Sequence, residues 1–215
     1  MSRRPGPVRR AATMLPGALL ACTLLACGGA PAPPPFHATE VSGLDYGRGI
    51  RIPDTANRPR SLDEFRGQVV VVFFGFASCP DVCPTTLLRL RDVRRAIGAD
   101  GARVQVVLVS VDPERDTAER LRDYVGKFDP SFIALRPEPA ALAAVTEAFH
   151  AIAVKVPLPG VDLAKTPLEY TIDHSAVLYV YDRSGRLRLI AQPDFRTADL
   201  AADLARLARE PVVAS

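Results

Sequence analysis

The sequence contains few of the residues that most often bind soft metals. Its 215 residues include four cysteines and three histidines. Two of the cysteines, Cys22 and Cys27, lie in an apolar segment near the start, which leaves Cys79 and Cys83 for the rest of the chain. A structural zinc site normally uses four protein ligands. The rest of the chain, which has only these two thiols, does not match such a site.

The chain also lacks an excess of positive charge outside its first residues. Its formal net charge is +3, and the first ten residues, MSRRPGPVRR, carry four arginines and no acidic residue. Without these four arginines the balance becomes −1, so the basic character belongs to the start of the chain. A surface that binds nucleic acid is therefore not expected.

The apolar segment near the start is short for a membrane span. AATMLPGALLACTLLAC has 17 residues, whereas a bilayer needs about 20. A basic start, a short apolar stretch and a small residue before a cleavage point are typical of a secretory signal. The ending LLAC is similar to the lipobox of bacterial lipoproteins, which predicts a lipoprotein-type signal peptide over 1–26 and lipidation at Cys27. Cys22 fits the same pattern with a shorter apolar core, and an uncleaved anchor helix is the other alternative.

These features predict a protein of the bacterial cell envelope, anchored to a membrane and facing the periplasm or another extracytoplasmic side. Residues 27–40 are rich in Pro, Gly and Ala and predict an extended spacer. His37 lies in it and is expected to be solvated rather than a metal ligand. Residues 41–210 have the length and apolar content of one domain.

The pattern of this domain predicts alternating strands and helices. Two runs, QVVVVFFGF and RVQVVLVSV, are apolar on both faces, as buried parallel strands are. A helix over PTTLLRLRDVRRAIG is expected between them, with Pro84 at its first position and Gly98 just past its last turn. Asp116 and Glu119 predict a capping box for a helix through TAERLRDYVGKF. The other predicted elements are a short helical turn capped by Ser61 and Glu64, a helix over 139–149, the antiparallel hairpin AVLYVYD–RSG–RLRLIAQ and the amphipathic helix TADLAADLARLARE.

This order of elements predicts a thioredoxin-like α/β domain, a central mixed sheet flanked by helices, with the cysteine pair at the first strand-to-helix junction. Cys83 immediately precedes the predicted helix, so its sulfur is expected near unpaired N–H groups at the positive end of the helix dipole. Such an environment lowers the pKa of a thiol below about 8.5. Cys79 can form a disulfide with Cys83 or bind the same metal, and a purely structural disulfide is the simplest alternative.

A candidate third ligand, His174, lies in the segment YTIDHSAVLYVYD. Thioredoxins use C-x-x-C and place a cis-proline before the strand that faces the thiols. Here three residues separate the cysteines, and His174 and Ser175 precede the corresponding strand. Two thiolates suit Cu(I), and an added imidazole makes Cu(II) acceptable as well. His150, in EAFHAIAV, is expected to belong to a helix end instead.

Four segments resemble the Sco/SenC family of copper proteins. They are GFASCPDVCPTTL, VSVDPERDT, YVGKFDPSFIAL and YTIDHSAVLYVYD, which occur in family order across about 42–195. The resemblance implies a thioredoxin-like fold that binds one copper ion, Cu(I) or Cu(II), through Cys79, Cys83 and His174. The family often has a threonine and an aromatic residue or histidine before the first cysteine, where this chain has Ala77 and Ser78.

The resemblance also implies a role in assembling the binuclear copper centre of cytochrome c oxidase. The implied partners are the copper-accepting subunit of the oxidase, a copper donor protein and, through the lipid anchor, a membrane. One reading is a copper chaperone, which needs both thiols and His174. The alternative is a thiol–disulfide reductase that keeps the cysteines of the apo oxidase subunit reduced with Cys79 and Cys83 as a redox-active pair. A peroxiredoxin does not fit, because the residues three before the two cysteines are Phe76 and Pro80 rather than Thr or Ser.

The acidic residues near these motifs carry weaker signals. Asp81 is expected to be a turn residue, an outer-sphere acceptor or a charge that recognises a partner. Asp173 either steadies the histidine or is the polar end of a strand. The segment DPERD at 112–116 matches the family, but a solvated loop with a helix cap explains it physically.

Overall fold

The computed structural model describes residue 1 and residues 35–213, and its central element is a six-stranded mixed sheet. The strands are β1 Thr39–Glu40, β2 Ile52–Pro53, β3 Pro59–Arg60, β4 Val69–Gly75, β5 Val104–Ser110, β6 Ile133–Leu135, β7 Ala153–Pro157, β8 Tyr170–His174, β9 Leu178–Tyr181 and β10 Leu187–Ala191. The helices are α1 Val82–Ala96, α2 Ala118–Gly126, α3 Leu142–Ala148 and α4 Thr197–Arg209, and 3₁₀ turns span Leu62–Phe65, Gly98–Arg103 and Pro139–Ala141.

The two central strands are parallel neighbours that are buried on both faces. β4 and β5 pair from Val69 with Val104 to Gly75 with Ser110, and every residue of β4 is buried. The sheet order is β1–β10–β9–β4–β5–β6. Strand β6 is parallel to β5, whereas β9 is antiparallel to β4 and β10 is antiparallel to β9. The mixed sheet flanked by helices that the sequence predicts is confirmed, as are the hairpin β9–β10 and the helix α4.

Two helices begin at different residues from those predicted. α1 starts at Val82, not Pro84, with Asp81 at the N-cap position, so Cys83 lies inside the first turn. Proline is tolerated in a first turn because the N–H groups there have no partner within the helix. At α2 the N-cap is Thr117, not Asp116, and its side chain accepts the backbone N–H of Arg120 at 3.1 Å.

The last residues assigned to the spacer contribute to the sheet. β1 pairs with β10, and the buried carboxylate of Asp203 on α4 accepts the backbone N–H groups of His37 and Ala38 at 3.0 and 2.8 Å. His37 is exposed, as expected, but it is bonded to Asp203 and therefore belongs to the domain rather than to a free linker. Cys22, Cys27 and the predicted signal lie outside the described residues. Within the described part of the chain, no helix has the length and apolar character needed to span a bilayer.

Two two-stranded sheets, β2–β3 and β7–β8, were not predicted. β7 and β8 pair antiparallel from Ala153 with His174 to Pro157 with Tyr170. The sequence predicts a strand only after Ser175. The structure adds β8 before it, so His174 is the last residue of one strand and lies just before β9 of the central sheet.

Candidate metal centre

The thiol loop directly follows the central strand β4. β4 ends at Gly75 and α1 begins at Val82, so residues 76–81 form a short loop that carries Cys79 and leads to Cys83. Gly75 lies against the second sulfur, since a Cβ at this position would be 2.9 Å from Cys83 Sγ. Cys83 is fully buried and Cys79 is half-buried. Glycine at the strand end therefore allows the backbone to approach a buried thiol closely.

The two thiols differ in acidity. A hydrogen bond from the Cys83 thiol, together with bonds from the backbone N–H groups of Asp81 and Cys83, lowers the pKa of Cys79 to about 4. The hydrogen bond to Cys79 and the burial of its sulfur raise the pKa of Cys83. The prediction of a lowered pKa at Cys83 is wrong. Because α1 begins two residues earlier than expected, the N–H of Cys83 points at Cys79 Sγ, 3.4 Å away.

His174 brings an imidazole nitrogen to the same place. Its Nε2 lies 3.8 Å from Cys83 Sγ, and its Nδ1 lies 3.1 Å from the backbone oxygen of Ser175. A carbonyl only accepts, so this contact assigns the proton to Nδ1 and leaves the Nε2 lone pair toward the sulfurs. The rings of Phe73 and Phe76 contact the imidazole edge-on at 6.3 and 5.8 Å between centroids. Together these contacts fix the ring.

The three candidate ligand atoms converge. One atom from each of Cys79, Cys83 and His174 lies within 4.8 Å of the others. Two sulfurs and one imidazole nitrogen form a soft donor set of the kind that suits copper. The geometry that the sequence required, an imidazole from late in the chain brought to the thiols, is present.

The other histidine and the nearby acids have structural positions. His150 follows α3 with a φ of 51° and stacks on Tyr46 with 4.3 Å between ring centroids, so it belongs to a helix end as predicted. Asp173 is exposed near the end of β8, which fits the alternative of a polar strand end, and the His174 Nδ1 faces a backbone carbonyl instead of this carboxylate. Asp81 is an exposed N-cap residue of α1.

Two buried carboxylates behind the thiol loop were not recognised from the sequence. Asp116 is fully buried and accepts the backbone N–H of Ala77 at 3.2 Å and the hydroxyl of Ser110 at 2.7 Å. Burial raises the pKa of its carboxyl. Asp112, also buried, accepts the hydroxyl of Tyr170 at 2.7 Å. The interpretation of 112–116 as a solvated loop is wrong, and the available signal was that these acids follow the buried strand β5 directly.

An open groove lies beside the three donors. It is lined by Phe76, Cys79, Pro80, Asp81 and Val82 on one side and by Thr171, Ile172, Asp173, His174 and Ala176 on the other. The charged residues among these are Asp81 and Asp173, and both are acidic. A partner can therefore reach the half-buried Cys79 from the groove, whereas the buried Cys83 lies behind it.

Comparison with known proteins gives the family. Residues 42–209 match the family model SCO1/SenC. The chain belongs to the SCO1/SenC family. The resemblance read from the four sequence motifs is thereby confirmed. An SCO2-like protein of Rickettsia prowazekii is 35% identical over 124 residues, and the chain spans 58% of the length of that relative.

Solved structures of Sco proteins share the fold. ScoI of Bradyrhizobium japonicum with copper bound is 35% identical, with a TM-score of 0.65 over 75% of this chain and 99% of that chain. Apo Sco1 of Thermus thermophilus is 36% identical, with a TM-score of 0.69 over 80% of this chain and 97% of that chain. The thioredoxin-like fold class predicted from the sequence is confirmed.

Proposed function

We propose that this SCO1/SenC protein is a membrane-tethered copper chaperone that binds one copper ion through Cys79, Cys83 and His174. The observation that carries the proposal is the convergence of these three donors within 4.8 Å. The copper-bound relative ScoI supports the choice of metal. The lipid anchor at Cys27 is part of the proposal and rests on the lipobox-like pattern of the sequence.

The donor set suits a metal ion that is transferred to another protein. Thiolates favour Cu(I), and the imidazole makes Cu(II) acceptable, so the site tolerates both oxidation states. Copper binding must displace the proton of Cys83, because only deprotonated thiols coordinate. The groove beside Cys79 gives an incoming ligand access to the metal. These properties support delivery of copper to an accepting protein, which we take to be the copper-accepting subunit of cytochrome c oxidase, after loading by a copper donor protein.

A second function is favoured by the unequal thiols. A half-buried Cys79 with a pKa of about 4 is a thiolate at neutral pH and a good leaving group, and Cys83 is held behind it as a thiol. In a reductase reaction the Cys79 thiolate would attack a disulfide of the oxidase subunit and release one target thiolate. That thiolate would take the proton of Cys83, whose thiolate would then attack Cys79 and release the second target thiolate. The two electrons reduce the target, and Cys79 and Cys83 end as a disulfide.

Copper titration of the full-length protein in detergent tests the first function. We expect reduced wild-type protein to bind one equivalent, and Cys79→Ala, Cys83→Ala and His174→Ala to lose more than the roughly 100-fold that removal of a supporting residue can cost. His150→Ala is the matched control and should keep wild-type affinity. Full affinity for both copper oxidation states in His174→Ala would refute the ligand assignment.

The same variants separate the two functions. Reduction of a disulfide-bonded model peptide should need both cysteines and should persist in His174→Ala, because the imidazole takes no part in the exchange. Loss of copper binding with retained peptide reduction in this variant would show two separable activities. A wild-type protein that binds copper but reduces no disulfide would exclude the reductase.

A further inference from the structure

Strand β8 has one hydrogen-bonding edge that is occupied by β7. The ends of the β7–β8 ladder are fixed by two backbone bonds, from Leu158 N–H to the Glu169 oxygen and from Ser175 N–H to the Ile152 oxygen. In an antiparallel ladder, hydrogen-bonded pairs recur at every second residue. The bonds to β7 are therefore made by the odd-numbered residues of β8, and the even-numbered residues direct their backbone groups to the opposite edge.

That opposite edge lies beside the thiols, and no strand of the described chain pairs with it. The Tyr170 oxygen on it accepts a guanidinium N–H of Arg115 at 2.7 Å. For the N–H and C=O groups of Ile172 and His174 we find no partner within residues 35–213. Ile172 is only 5% exposed, so its backbone groups lie at the floor of the groove rather than on an outer surface. Backbone groups on such an edge hydrogen-bond to water or to an added strand, so the edge can accept an occupant that this chain does not itself provide.

The outer edge of β7 differs from the free edge of β8. Its outward-facing positions include Lys155 and Pro157, opposite Ile172 and Tyr170. Lysine and proline are residues that block strand addition at an exposed edge. The edge of β8 has neither. One edge of this small sheet is thus protected against pairing, and the edge beside Cys79 is left able to pair.

The charge of the groove indicates which charge its occupant should carry. Its charged lining residues, Asp81 and Asp173, are both exposed carboxylates on opposite sides of the groove. Neither has an ion-pair partner among the described residues. An acidic segment would be repelled, whereas basic side chains on either flank of an extended segment would be attracted.

We propose that the free edge of β8 binds an extended segment of the partner protein as an added strand. The segment carries a cysteine with basic neighbours, pairs with the backbone of Ile172 and His174, and so holds its cysteine beside Cys79. The proposal deepens the proposed function by assigning how the target cysteine is presented. Backbone pairing gives affinity that does not depend on the target's exact sequence.

A covalently trapped peptide tests the pairing directly. Full-length Cys83→Ser is joined through Cys79 to the cysteine of the synthetic peptide KTVCVTK, supplied as an activated disulfide, which gives a high effective concentration at the groove. The reference is the adduct with 2-mercaptoethanol, which modifies the same sulfur without a backbone. We expect amide hydrogen exchange to slow at least tenfold at Ile172 and His174 and to stay unchanged at Thr171. Equal exchange at Ile172 and His174 in the two adducts would overturn the proposal.

Matched variants test the edge without relying on one measurement. Ile172→Pro removes the N–H that faces the groove, while Lys155→Pro removes the opposite one, and neither residue donates to the β7–β8 ladder. We expect about tenfold slower peptide loading for Ile172→Pro, wild-type loading for Lys155→Pro, and slower loading of ETVCVTE than of KTVCVTK. If Ile172→Pro does not fold, a peptide N-methylated at the pairing residue replaces it on wild-type β8. Loading that is indifferent to both proline and N-methylation refutes strand addition.

Copper titration separates this proposal from the function on which it rests. Slowed exchange at Ile172 and His174 in a protein that binds no copper would refute the chaperone and leave the docking mode in place. Copper binding through the three donors, with no effect of the peptide on either amide, would refute the docking mode alone.

Discussion

At the scale of single residues, the chemistry depends on an asymmetry between two thiols. Both sulfurs come from one short segment, yet Cys83 is fully buried and Cys79 is open to the groove. The Cys83 thiol donates a hydrogen bond to Cys79, and the first turn of α1 directs the Cys83 N–H at the same sulfur. The thiolate therefore resides on the sulfur that a partner can reach, as both proposed functions, copper transfer and disulfide exchange, require.

The pH dependence of alkylation should reveal this asymmetry. The pKa of Cys79 is lowered to about 4, so its thiolate persists as the pH falls and is lost only as the pH passes through that value. We expect the iodoacetamide reaction of Cys79 in the reduced apo protein to change little between pH 8 and 5, as measured by peptide mass mapping. An ordinary thiol loses about tenfold in rate per pH unit below its pKa of about 8.5. Such a tenfold decline at Cys79 would contradict the assignment, and Cys83 serves as the slow, buried reference.

Gly75 makes a second residue-scale prediction. An alanine Cβ there would lie 2.9 Å from Cys83 Sγ and 3.1 Å from a methyl carbon of Leu108. We expect Gly75→Ala to lower the free energy of unfolding by about 1–3 kcal/mol and to weaken copper binding, because the sulfur must move. Gly126→Ala is the control, since a Cβ at Gly126 meets no atom within 4 Å. Denaturant unfolding and copper titration measure both effects, and unchanged copper affinity in Gly75→Ala would show that the sulfur position is not critical.

At the scale of elements, regular patterns were predictable and tertiary burial was not. β4 and β5 are apolar at nearly every position, and α4 places Leu200, Leu204 and Leu207 on one face, so both patterns identify their elements without knowledge of the fold. The start of α2 was misplaced because adjacent Asp116 and Thr117 are both good N-cap residues. Only packing under the thiol loop decides that the aspartate turns inward.

The β7–β8 hairpin was missed for a related reason. β7 is half-exposed along its length and is separated from β8 by a long segment that contains Pro, Gly and Lys. Neither strand shows the continuous apolar run of the central sheet. The position of His174 opposite the thiols could still be predicted, because it depends on the strand that follows, β9, which is strongly apolar.

The hairpin is tied to the loop behind the thiols by Tyr170, and this contact can be tested. Its hydroxyl donates to the buried carboxylate of Asp112 at 2.7 Å. We expect Tyr170→Phe to cost about 1.5–3 kcal/mol, the range for a hydrogen bond to a charged group, and to speed amide exchange in β8. Tyr124→Phe is a matched control, because the buried Tyr124 hydroxyl has no hydrogen-bond partner within the described chain. Equal unfolding free energies for the two variants would show that the Tyr170 contact does not hold the hairpin.

At the scale of the whole molecule, the first residues of the described domain lie against α4 and β10, not at the thiols. β1 adds to the sheet edge at β10, and the backbone of His37 and Ala38 is held by Asp203. The groove is lined by the thiol loop and by the segment 171–176. The segment that leads to the predicted anchor and the groove proposed as the docking site thus use different residues, so the proposed tethering and docking would not compete for the same surface.

Removal of the Asp203 carboxylate tests this separation. Asp203→Ala leaves two backbone N–H groups without their acceptor, so we expect a loss of about 2–4 kcal/mol and faster amide exchange across residues 37–41, with copper affinity unchanged. Asp199→Ala is the control, because its carboxylate is 3.9 Å from His37 Nε2 and partly exposed.

The same variant should show a pH dependence. The hydrogen bond to Asp203 raises the pKa of His37, so the contribution of the imidazolium to stability is complete below its ordinary pKa of about 6.5 and is lost as the pH rises through the raised value. The destabilisation by Asp203→Ala should therefore be smaller at high pH but should remain, since the two backbone bonds do not titrate. A loss of copper affinity in this variant would show that the N-terminal segment and the metal centre are coupled.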